Sequence, residues 1–515
     1  YFVKPKVTKI ILKTIKELNV WRFTTQKEIS FVPSMGNLHL GHKELIREAK
    51  KSQENLVILS IFINPLQFND KADLRNYPRT ISKDIDLAFA AGADAIFIPC
   101  VDEIFPKNER KIKYLKASKD LSKTLCGISR KGHFDGVCTV VYRLIDIVKP
   151  EVIFLGEKDW QQLLIIKEMV ARYNINVEIK SIDTQRDIDG IPFSSRNNLL
   201  LKNDREKLQL FSSELFHAKQ IFNQTKTIDL QRIIKILKSK NIKVEYLDHV
   251  NAFNLKSSTS KMNITMLAGA IICGSTRLID HVFLMKRDPI IAIDGPAGSG
   301  KSTVTKLIAK KLKFIFLDTG AMYRALSWYL IKEKINYQNR KDLKSFLSDI
   351  SIKFKSVSGS KQNVIINNHN VTEKIRTQEI SSIVSSIASI KEVREFLVKE
   401  QRKIGDEGGI VAEGRDIGSK VFPYAELKIF LTATINERAR RRKNELEAMG
   451  QGTIDFEQLK NEIEQRDFDD SNRKISPLTK AEDAIEIISD GYTVNQVVGK
   501  ILEIYLEKIP KELHL

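Results

Sequence analysis

Cysteine is scarce in this chain. Its four residues, Cys100, Cys126, Cys138 and Cys273, lie scattered over 515 positions, and no two form a C-x-x-C pair. That spacing excludes a disulfide scaffold and a thiolate metal site, and it fits a reducing, cytoplasmic setting. Long apolar runs are lacking as well: none reaches the ~20 residues that a membrane-spanning helix needs, so no membrane partner is expected. Glycine (24) and proline (13) are modest, while 42% of the residues are hydrophobic and 29% charged. This is the balance of a globular chain and not of a disordered one. No charged-then-apolar export signal is visible, and Tyr1 in place of an initiator Met points to a trimmed start.

What the chain has in quantity is length and positive charge. At roughly 150 residues per domain, 515 residues suggest three or four folding units. The formal net charge of +20 would suit nucleic acid. Yet clusters such as Arg438, Arg440, Arg441, Arg442 and Lys443 fall inside a phosphate-handling pattern and not in a separate tail. Nucleic acid is therefore not the expected partner.

Apolar runs at Ile29–Val32, Leu56–Ile63, Ala95–Ile98 and Val152–Leu155 alternate with helical stretches, the rhythm of a buried parallel α/β sheet. A second series runs through Ile290–Ile293, Lys313–Leu317, Gly409–Ala412 and Leu427–Leu431. Between them, about Thr184 to Lys286, helices are expected near Asp204–Gln220 and Leu230–Lys240, with a short strand at Val244–Leu247. Arg287-Asp288-Pro289 is the best boundary, because its proline can open a strand but would disrupt a strand's middle. The division expected is 1–183, 184–286 and 290–515.

Strand Ile290–Asp294 runs directly into Gly295-Pro296-Ala297-Gly298-Ser299-Gly300-Lys301-Ser302 and then a helix beginning near Thr303. This is G-x-x-x-x-G-K-S in its required strand–loop–helix setting. Glycines let backbone N–H groups turn toward an anion, and the helix start adds unpaired donors. Lys301 is expected on the β/γ-phosphates of ATP and Ser302 on Mg²⁺. A second strand ends in Asp318-Thr319-Gly320-Ala321-Met322-Tyr323-Arg324, where Arg324 can hold an acceptor phosphate and Tyr323 can close the pocket. Arg376, Ser385, Arg394, Glu413-Gly414-Arg415-Asp416 and Arg466–Arg473 supply further charge, as a transferring phosphoryl group requires.

The segments GPAGSGKST, LDTGAMYRAL, IRTQEISSIVSSIASIKEVRE, EGRDIGSKVFP and QRDFDDSNR make residues from about 290 to 508 resemble a bacterial-type cytidylate kinase. The resemblance implies γ-phosphate transfer from ATP to CMP or dCMP without an intermediate on the protein. It places Ser385, Arg394, Arg415 and Asp416 on the cytosine or acceptor phosphate, and Asp470 and Arg466 near the sugar and phosphates. Arg473 and one or more of Arg438–Arg442 would close on the transferring group. Residues from about 337 to 372 would be the acceptor-side insert, and those from about 436 to 473 the lid. Glu413 stands where the family commonly has Asp, and it receives no role.

In the first half, Pro33-Ser34-Met35-Gly36-Asn37-Leu38-His39-Leu40-Gly41-His42 follows one strand and precedes a helix. Two imidazoles three residues apart around that turn can face one ligand. They could bind a triphosphate, cap the helix, or hold a metal, though a third ligand is missing by local spacing. Strand Leu56–Ile63 ends in Asn64-Pro65-Leu66-Gln67-Phe68, and strand Val152–Leu155 in Gly156-Glu157-Lys158-Asp159-Trp160-Gln161-Gln162. The loop around Ser194-Ser195-Arg196 suits a clamp for leaving pyrophosphate, and Arg130-Lys131-Gly132-His133 adds a basic loop. The set points to adenylation of a carboxylate, followed by acyl transfer to a second nucleophile.

VPSMGNLHLGH, SIFINPLQF, NYPR, GISRKGHFDGVCTVV, GEKDWQQL and DGIPFSSRN make residues 28–285 similar to pantoate–β-alanine ligases. That resemblance implies a Rossmann-like nucleotidyltransferase domain with a smaller C-terminal lobe closing over ATP. It also implies use of ATP and Mg²⁺ and a pantoyl adenylate attacked by β-alanine. Gln67 and Gln162 would orient pantoate with Asn64 nearby. Met35, Gly36, His39, His42, Gly156, Lys158, Ser194, Ser195 and Arg196 would surround ATP, Asp159 its ribose, and His133 the amine end. The catalytic set implied overall is His39, His42, Lys158, Ser194, Ser195, Arg196, Lys301 and Arg473. A homodimer through the larger ligase domain is implied too. Two other readings compete: an aminoacyl-tRNA-type nucleotidyltransferase fused to a kinase, and a non-enzymatic nucleotide sensor. The first needs a tRNA-binding domain for which the chain leaves no room. The second has no use for both a pyrophosphate-side and an acceptor-side set.

Overall fold

The computed structural model describes residues 9–52, 54–107, 112–259, 262–356, 362–448, 455–472, 475 and 477–514. The chain divides into two compact units, residues 1–286 with 510–515, and residues 287–509. The first unit opens on a six-stranded sheet built from β1 (Ile10–Leu12), β2 (Ile29–Ser34), β3 (Leu56–Ile61), β4 (Ala95–Phe97), β5 (Val152–Gly156) and β6 (Glu178–Ile182). Its order is β1-β4-β3-β2-β5-β6 and every pairing is parallel. Buried on both faces, the inner strands are largely apolar, which is why they stand out in the sequence.

The central pair β2 and β5 is joined only through Ser30 and Phe31. Pro33 lies just beyond that point on β2 and has no N–H with which to extend the ladder. The two strands part there, and the chain order reverses at the same place. An open α/β sheet binds its ligands in such a crevice.

The smaller lobe of this unit is an antiparallel sheet of β7 (Lys243–Asn251), β8 (Ile264–Cys273) and β9 (Thr276–Met285), in the order β7-β8-β9. Helices Lys202–Thr225 and Leu230–Ser239 accompany it, and Phe211, Leu215, Phe222 and Leu237 of these helices bury against Leu267, Ile271 and Val282 of the sheet. The short strand expected at Val244–Leu247 is thus the middle of a nine-residue strand, and the β8–β9 hairpin is an addition to the sequence reading.

The second unit is built on a parallel sheet of β10 (Ile290–Asp294), β11 (Ile315–Asp318), β15 (Ile410–Gly414), β16 (Leu427–Thr432) and β17 (Ile485–Ile488), ordered β11-β15-β10-β16-β17. The region expected as an acceptor-side insert contains helix Arg340–Ser348 and a small antiparallel sheet of β12 (Ile352–Ser356), β13 (Gln362–Ile366) and β14 (His369–Asn370). Helices Ile435–Ala448 and Phe456–Asn472 occupy the expected lid. Arg473 lies outside the described residues. One boundary needs correction. The second unit begins at Arg287, next to the anticipated joint, but its body ends at Ile509 and not at 515. Residues beyond Ile509 find their polar partners in the first unit: Lys511 N–H donates to Glu157 at 2.9 Å.

Candidate active sites

In the first unit, His39 is the N-cap of helix Leu40–Lys50. Its Nδ1 accepts from Gly41 N–H at 3.2 Å, while His42 Nδ1 accepts from His39 N–H at 3.4 Å. The capping reading is therefore correct for one nitrogen of each ring. Burial, reinforced by His42 and Lys158, pushes His39 down to about 2, and burial pushes His42 down to about 4. Both imidazoles are neutral near pH 7. With each Nδ1 an acceptor, the ring proton sits on Nε2. The turn therefore carries two N–H donors beside the positive end of a helix, a pairing suited to an anion.

Asp84, on helix Ile81–Ala91, holds this turn in place and was not singled out by sequence. Its buried carboxylate accepts from Asn37 N–H at 2.9 Å, Leu38 N–H at 2.8 Å and Thr80 Oγ1 at 3.0 Å. Asp84→Ala would leave those donors unpaired, a loss of about 1–3 kcal/mol. We expect kcat/KM of the adenylation anticipated for this unit to fall about 10- to 100-fold, with phosphoryl transfer anticipated for the second unit unchanged in the same preparation.

Asn37 bridges to the Ser195 loop. Its Nδ2 donates to Ser195 O at 2.6 Å, and Ser195 Oγ donates to Asn37 O at 3.1 Å. Ser194 Oγ accepts from Arg196 N–H at 3.3 Å. The Arg196 guanidinium pairs with Asp73 at 3.2 Å and lies over the Tyr77 ring. Asp73 is a further residue that sequence reasoning missed.

A cleft of about 250 Å³ joins these groups, with Met35, His39, His42 and Ser194–Arg196 on one side and Asn64, Gln67 and Gln162 on another. Lys158 and Asp159 line it and two adjoining hollows. Lys158 Nζ lies 3.3 Å from Asp159 Oδ1. Burial works against ionisation of Asp159, yet Lys158, with Arg196 and His133 beyond it, holds that carboxyl below its usual range. Gly36 turns the chain at φ +82°, and a Cβ there would press on Ile61 at 3.1 Å. Gly156 meets nothing on the protein, so its missing side chain keeps the cleft open.

Of the acceptor-side residues, Asn64 is spent internally. Its Nδ2 donates to Gln67 Oε1 and Gly136 O, at 3.0 and 3.1 Å. It therefore orients Gln67 from the cleft wall. His133 begins helix His133–Val148. Its Nδ1 lies 2.7 Å from Gln67 O and its Nε2 lies 3.0 Å from Arg130. Burial and Arg130 push it down to about 4, so the neutral ring donates from Nδ1 and accepts at Nε2. Both nitrogens are engaged, and the ring braces Gln67 and Arg130. Of the neighbouring glutamines, Gln161 is bound to backbone groups of Leu121, Thr124 and Cys126, whereas Gln162 faces the cleft.

In the second unit the loop Gly295–Ser302 leaves β10 as its spacing requires. A Cβ on Gly295 would meet Leu431 O at 2.0 Å, so no side chain fits there. Gly298 and Gly300 adopt φ +74° and +87°, and Gly300 caps helix Lys301–Leu312, which carries Ser302 and Thr303 in its first turn. Lys301 is buried, and its Nζ donates to Pro296 O at 2.5 Å. Ser299 Oγ also donates to Pro296 O, at 3.1 Å.

Ser302 Oγ donates to Glu413 Oε2 at 2.8 Å, which gives Glu413 the place that sequence left open. Burial, with Asp318 nearby, raises Glu413 to about 7. Asp294, at the end of β10, accepts from Ile417 and Gly418 N–H at 2.8 and 2.7 Å. It ties the phosphate loop to the Arg415–Asp416 segment, a link no local motif reveals.

The expected acceptor groups are partly paired with one another. Arg324 contacts Asp318 at 3.1 Å, Arg394 contacts Asp416 at 2.8 Å, and Arg415 Nε contacts Asp470 at 2.8 Å. Tyr323 packs its ring 5.5 Å from the Arg394 guanidinium. Burial depresses Arg466, and the charges of Arg415, Arg324 and Arg442 add to that effect. These arginines converge on one region. Ser385 is exposed on helix Gln378–Ala388. Arg438 is buried, donates to Ala297 O at 3.1 Å and pairs with Asp467 at 2.6 Å. It braces the phosphate loop, a role that a run of basic residues cannot disclose.

The family described as pantoate-beta-alanine ligase matches residues 10–283, and that described as cytidylate kinase matches residues 291–507. A bifunctional pantoate ligase/cytidylate kinase of Prochlorococcus marinus subsp. pastoris is 61% identical, over 99% of this chain and 100% of its own length. One from Prochlorococcus marinus strain NATL1A is 49% identical, over 98% of both chains. The solved pantothenate synthetase of Thermus thermophilus is 31% identical, covering 53% of this chain and 98% of its own, with a TM-score of 0.49. A pantoate-beta-alanine ligase of Francisella tularensis, solved with beta-gamma ATP and beta-alanine, is 34% identical over 54% of this chain and 98% of its own, with a TM-score of 0.47. On the full-length match and the two family regions, this chain belongs to the bifunctional pantoate ligase/cytidylate kinase family.

Proposed function

We propose that the chain catalyses two ATP-dependent reactions at separate centres: condensation of pantoate with β-alanine to pantothenate, and phosphorylation of CMP or dCMP. One observation carries the first reading. Two neutral imidazoles with their Nε2–H groups free of the backbone stand in the same cleft as Lys158, Arg196, Gln67 and Gln162.

A pantoate carboxylate oxygen held by Gln67 and Gln162 attacks the α-phosphorus of ATP. The bond to the β-phosphate breaks, and pyrophosphate leaves toward Lys158, Ser194, Ser195 and Arg196. Asp73 releases Arg196 to the phosphates in this step. The β-alanine nitrogen then attacks the acyl carbon, AMP departs, and the amine gives up a proton to solvent. Catalysis comes from orientation and charge neutralisation, with no covalent bond to the protein.

At the second centre the Gly295–Ser302 loop and Lys301 hold the β- and γ-phosphates. Ser302 and the buried Glu413 are the residues that would hold Mg²⁺, and a buried carboxylate facing a hydroxyl is a donor set that fits it. Mg²⁺ held there would supply positive charge to offset that of the ATP phosphates. A CMP phosphate oxygen attacks the γ-phosphorus and ADP leaves, while Arg324, Arg415, Arg466 and Asp470 shift from their mutual pairs to the acceptor and transferring groups. Arg394 and Asp416 order the base side.

The partners of this reading are small molecules, with self-association through the ligase domain and no part for nucleic acid. Among the described residues no helix is long and apolar enough to cross a membrane. The decisive experiment measures exchange of labelled pyrophosphate into ATP by the full chain. Exchange is expected only with pantoate present. Exchange without pantoate, or none from folded protein, overturns the ligase reading.

A further inference from the structure

Residues 510–515 follow the kinase in sequence but belong to the first unit in space. Their contacts fall on the larger domain and on the smaller lobe of that unit. On the larger domain, the Lys511 N–H donates to Glu157 Oε2 at 2.9 Å, and Ser181 Oγ donates to the other oxygen of that carboxylate at 2.8 Å. Glu157 is 1% exposed. It opens the short turn Glu157–Asp159, whose next two residues are Lys158 and Asp159. On the smaller lobe, Glu512 pairs with Lys219 of helix Lys202–Thr225 and accepts from Phe283 N–H of β9. Arg186, which grips Asp280 through two hydrogen bonds of 2.9 and 2.8 Å, faces the same carboxylate.

We propose that Pro510–His514 is a positioning element of the ligase site, pinning the turn that bears Lys158 and Asp159 to the smaller lobe. The proposal rests on the ligase reading and goes beyond it, because it places part of the adenylation site downstream of the kinase. The physical case is the burial of Glu157. A carboxylate removed from water needs its oxygens satisfied, and one of the two donors here comes from residue 511. Burial already raises this carboxyl to about 7 despite both donors. With the 511 donor gone, the turn must move to reach water or another partner, and Lys158 and Asp159 move with it. Glu512 adds a second tie, so the same short segment fixes the turn and the lobe against each other.

The geometry permits a clean test. Lys511 is the first residue of the turn Lys511–Leu513, and Pro510 before it has φ −51° and ψ 135°. Proline is accepted at a first helical position and after a residue in that extended conformation. Lys511→Pro therefore deletes the N–H and keeps the backbone, while Lys511→Ala deletes the side chain and keeps the N–H. In the full chain, Lys511→Pro is expected to raise the ligase KM for ATP about 5- to 10-fold, the cost of one buried hydrogen bond. Its kcat should change less than KM. Lys511→Ala should match the parent, and CMP phosphorylation should be unchanged in both. A chain ending at Ile509 should show the larger rise in KM.

Parent-like KM in both Lys511→Pro and the shortened chain overturns the proposal. So does a fall in ligase amplitude at constant KM, which marks a merely structural role. A parallel fall of both activities in Lys511→Pro overturns it as well. Pantoate-dependent pantothenate formation by the parent is measured alongside and reports on the ligase reading separately.

Discussion

Lowering the pH from 7.5 to 5.5 should bring down the thermal transition of the ligase unit by roughly 5–10 °C while leaving that of the kinase unit in place or raised. The cause is the set of buried neutral histidines. His39 is held at about 2, and His42, His133 and His281 at about 4, in each case first by burial. A histidine whose folded pKa lies below its unfolded value of about 6.5 binds a proton more readily once unfolded. Stability is intact above pH 6.5 and is lost as pH falls through that value toward the folded pKa.

At pH 5.5 each such group costs about 1.4 kcal/mol. Glu157, raised to about 7, works in the opposite direction, as do the raised Glu512 and Asp248. The balance is a loss of about 3 kcal/mol. In the kinase unit, Asp294 at about 6 and Glu413 at about 7 favour folding on acidification. Calorimetry of the full chain at pH 7.5, 6.5 and 5.5 reads both transitions, and CMP identifies the kinase one by raising it. Two transitions falling together would mean that the histidines do not control acid sensitivity.

Lys301→Ala should lower kcat for CMP phosphorylation on the order of 10³-fold, because no other side chain of the phosphate loop brings a full positive charge to the transferring group. Lys301 Nζ rests on Pro296 O, inside the loop it serves. The lysine thus also fills space at the base of the loop, and packing has to be separated from charge. Lys301→Met keeps most of that volume without the charge. An equal loss in both variants assigns the effect to charge. Recovery in Lys301→Met assigns it to packing and refutes the phosphate role. Pantothenate formation should stay within about 2-fold of the parent in both, as each centre is built from residues of its own compact unit. Loss of both activities in a folded variant would reveal coupling between the centres.

The parts legible in the sequence were those in which one local segment carries its own physics. Strands β2, β3, β5, β10 and β15 are apolar because they are buried on both faces, and the Gly295–Ser302 loop is specified by backbone shape. Groups acting across long separations were not legible. Asp84 reaches the Asn37 loop from 47 residues away, and Asp294 reaches Gly418 from 124. Neither bears a mark in its own neighbourhood. Gly136, in helix His133–Val148, likewise bears no local mark. A Cβ there would lie 2.2 Å from Leu66 O, so its bareness lets the helix seat against the Gln67 turn.

Basic residues in one run take different places. One or more of Arg438–Arg442 was expected to close on the transferring phosphate; Arg438 is interior, and Arg441 donates to Ser489 O at 2.9 Å and to Ser299 O of the phosphate loop at 3.4 Å. Burial separates such residues, and charge alone does not. The β8–β9 hairpin did carry a readable signal in its Gly274-Ser275 turn, with φ +59° at Gly274.

The first unit is discontinuous in sequence, and this sets an order of events during synthesis. Lys511 leaves the ribosome only after residues 287–509 have been made. At about 5–20 residues per second, that interval is on the order of tens of seconds. Throughout it Glu157 waits without its Lys511 donor, while the kinase sheet has all its strands once β17 has emerged. The nascent chain therefore cannot finish the earlier-encoded unit until the later-encoded one has been synthesised.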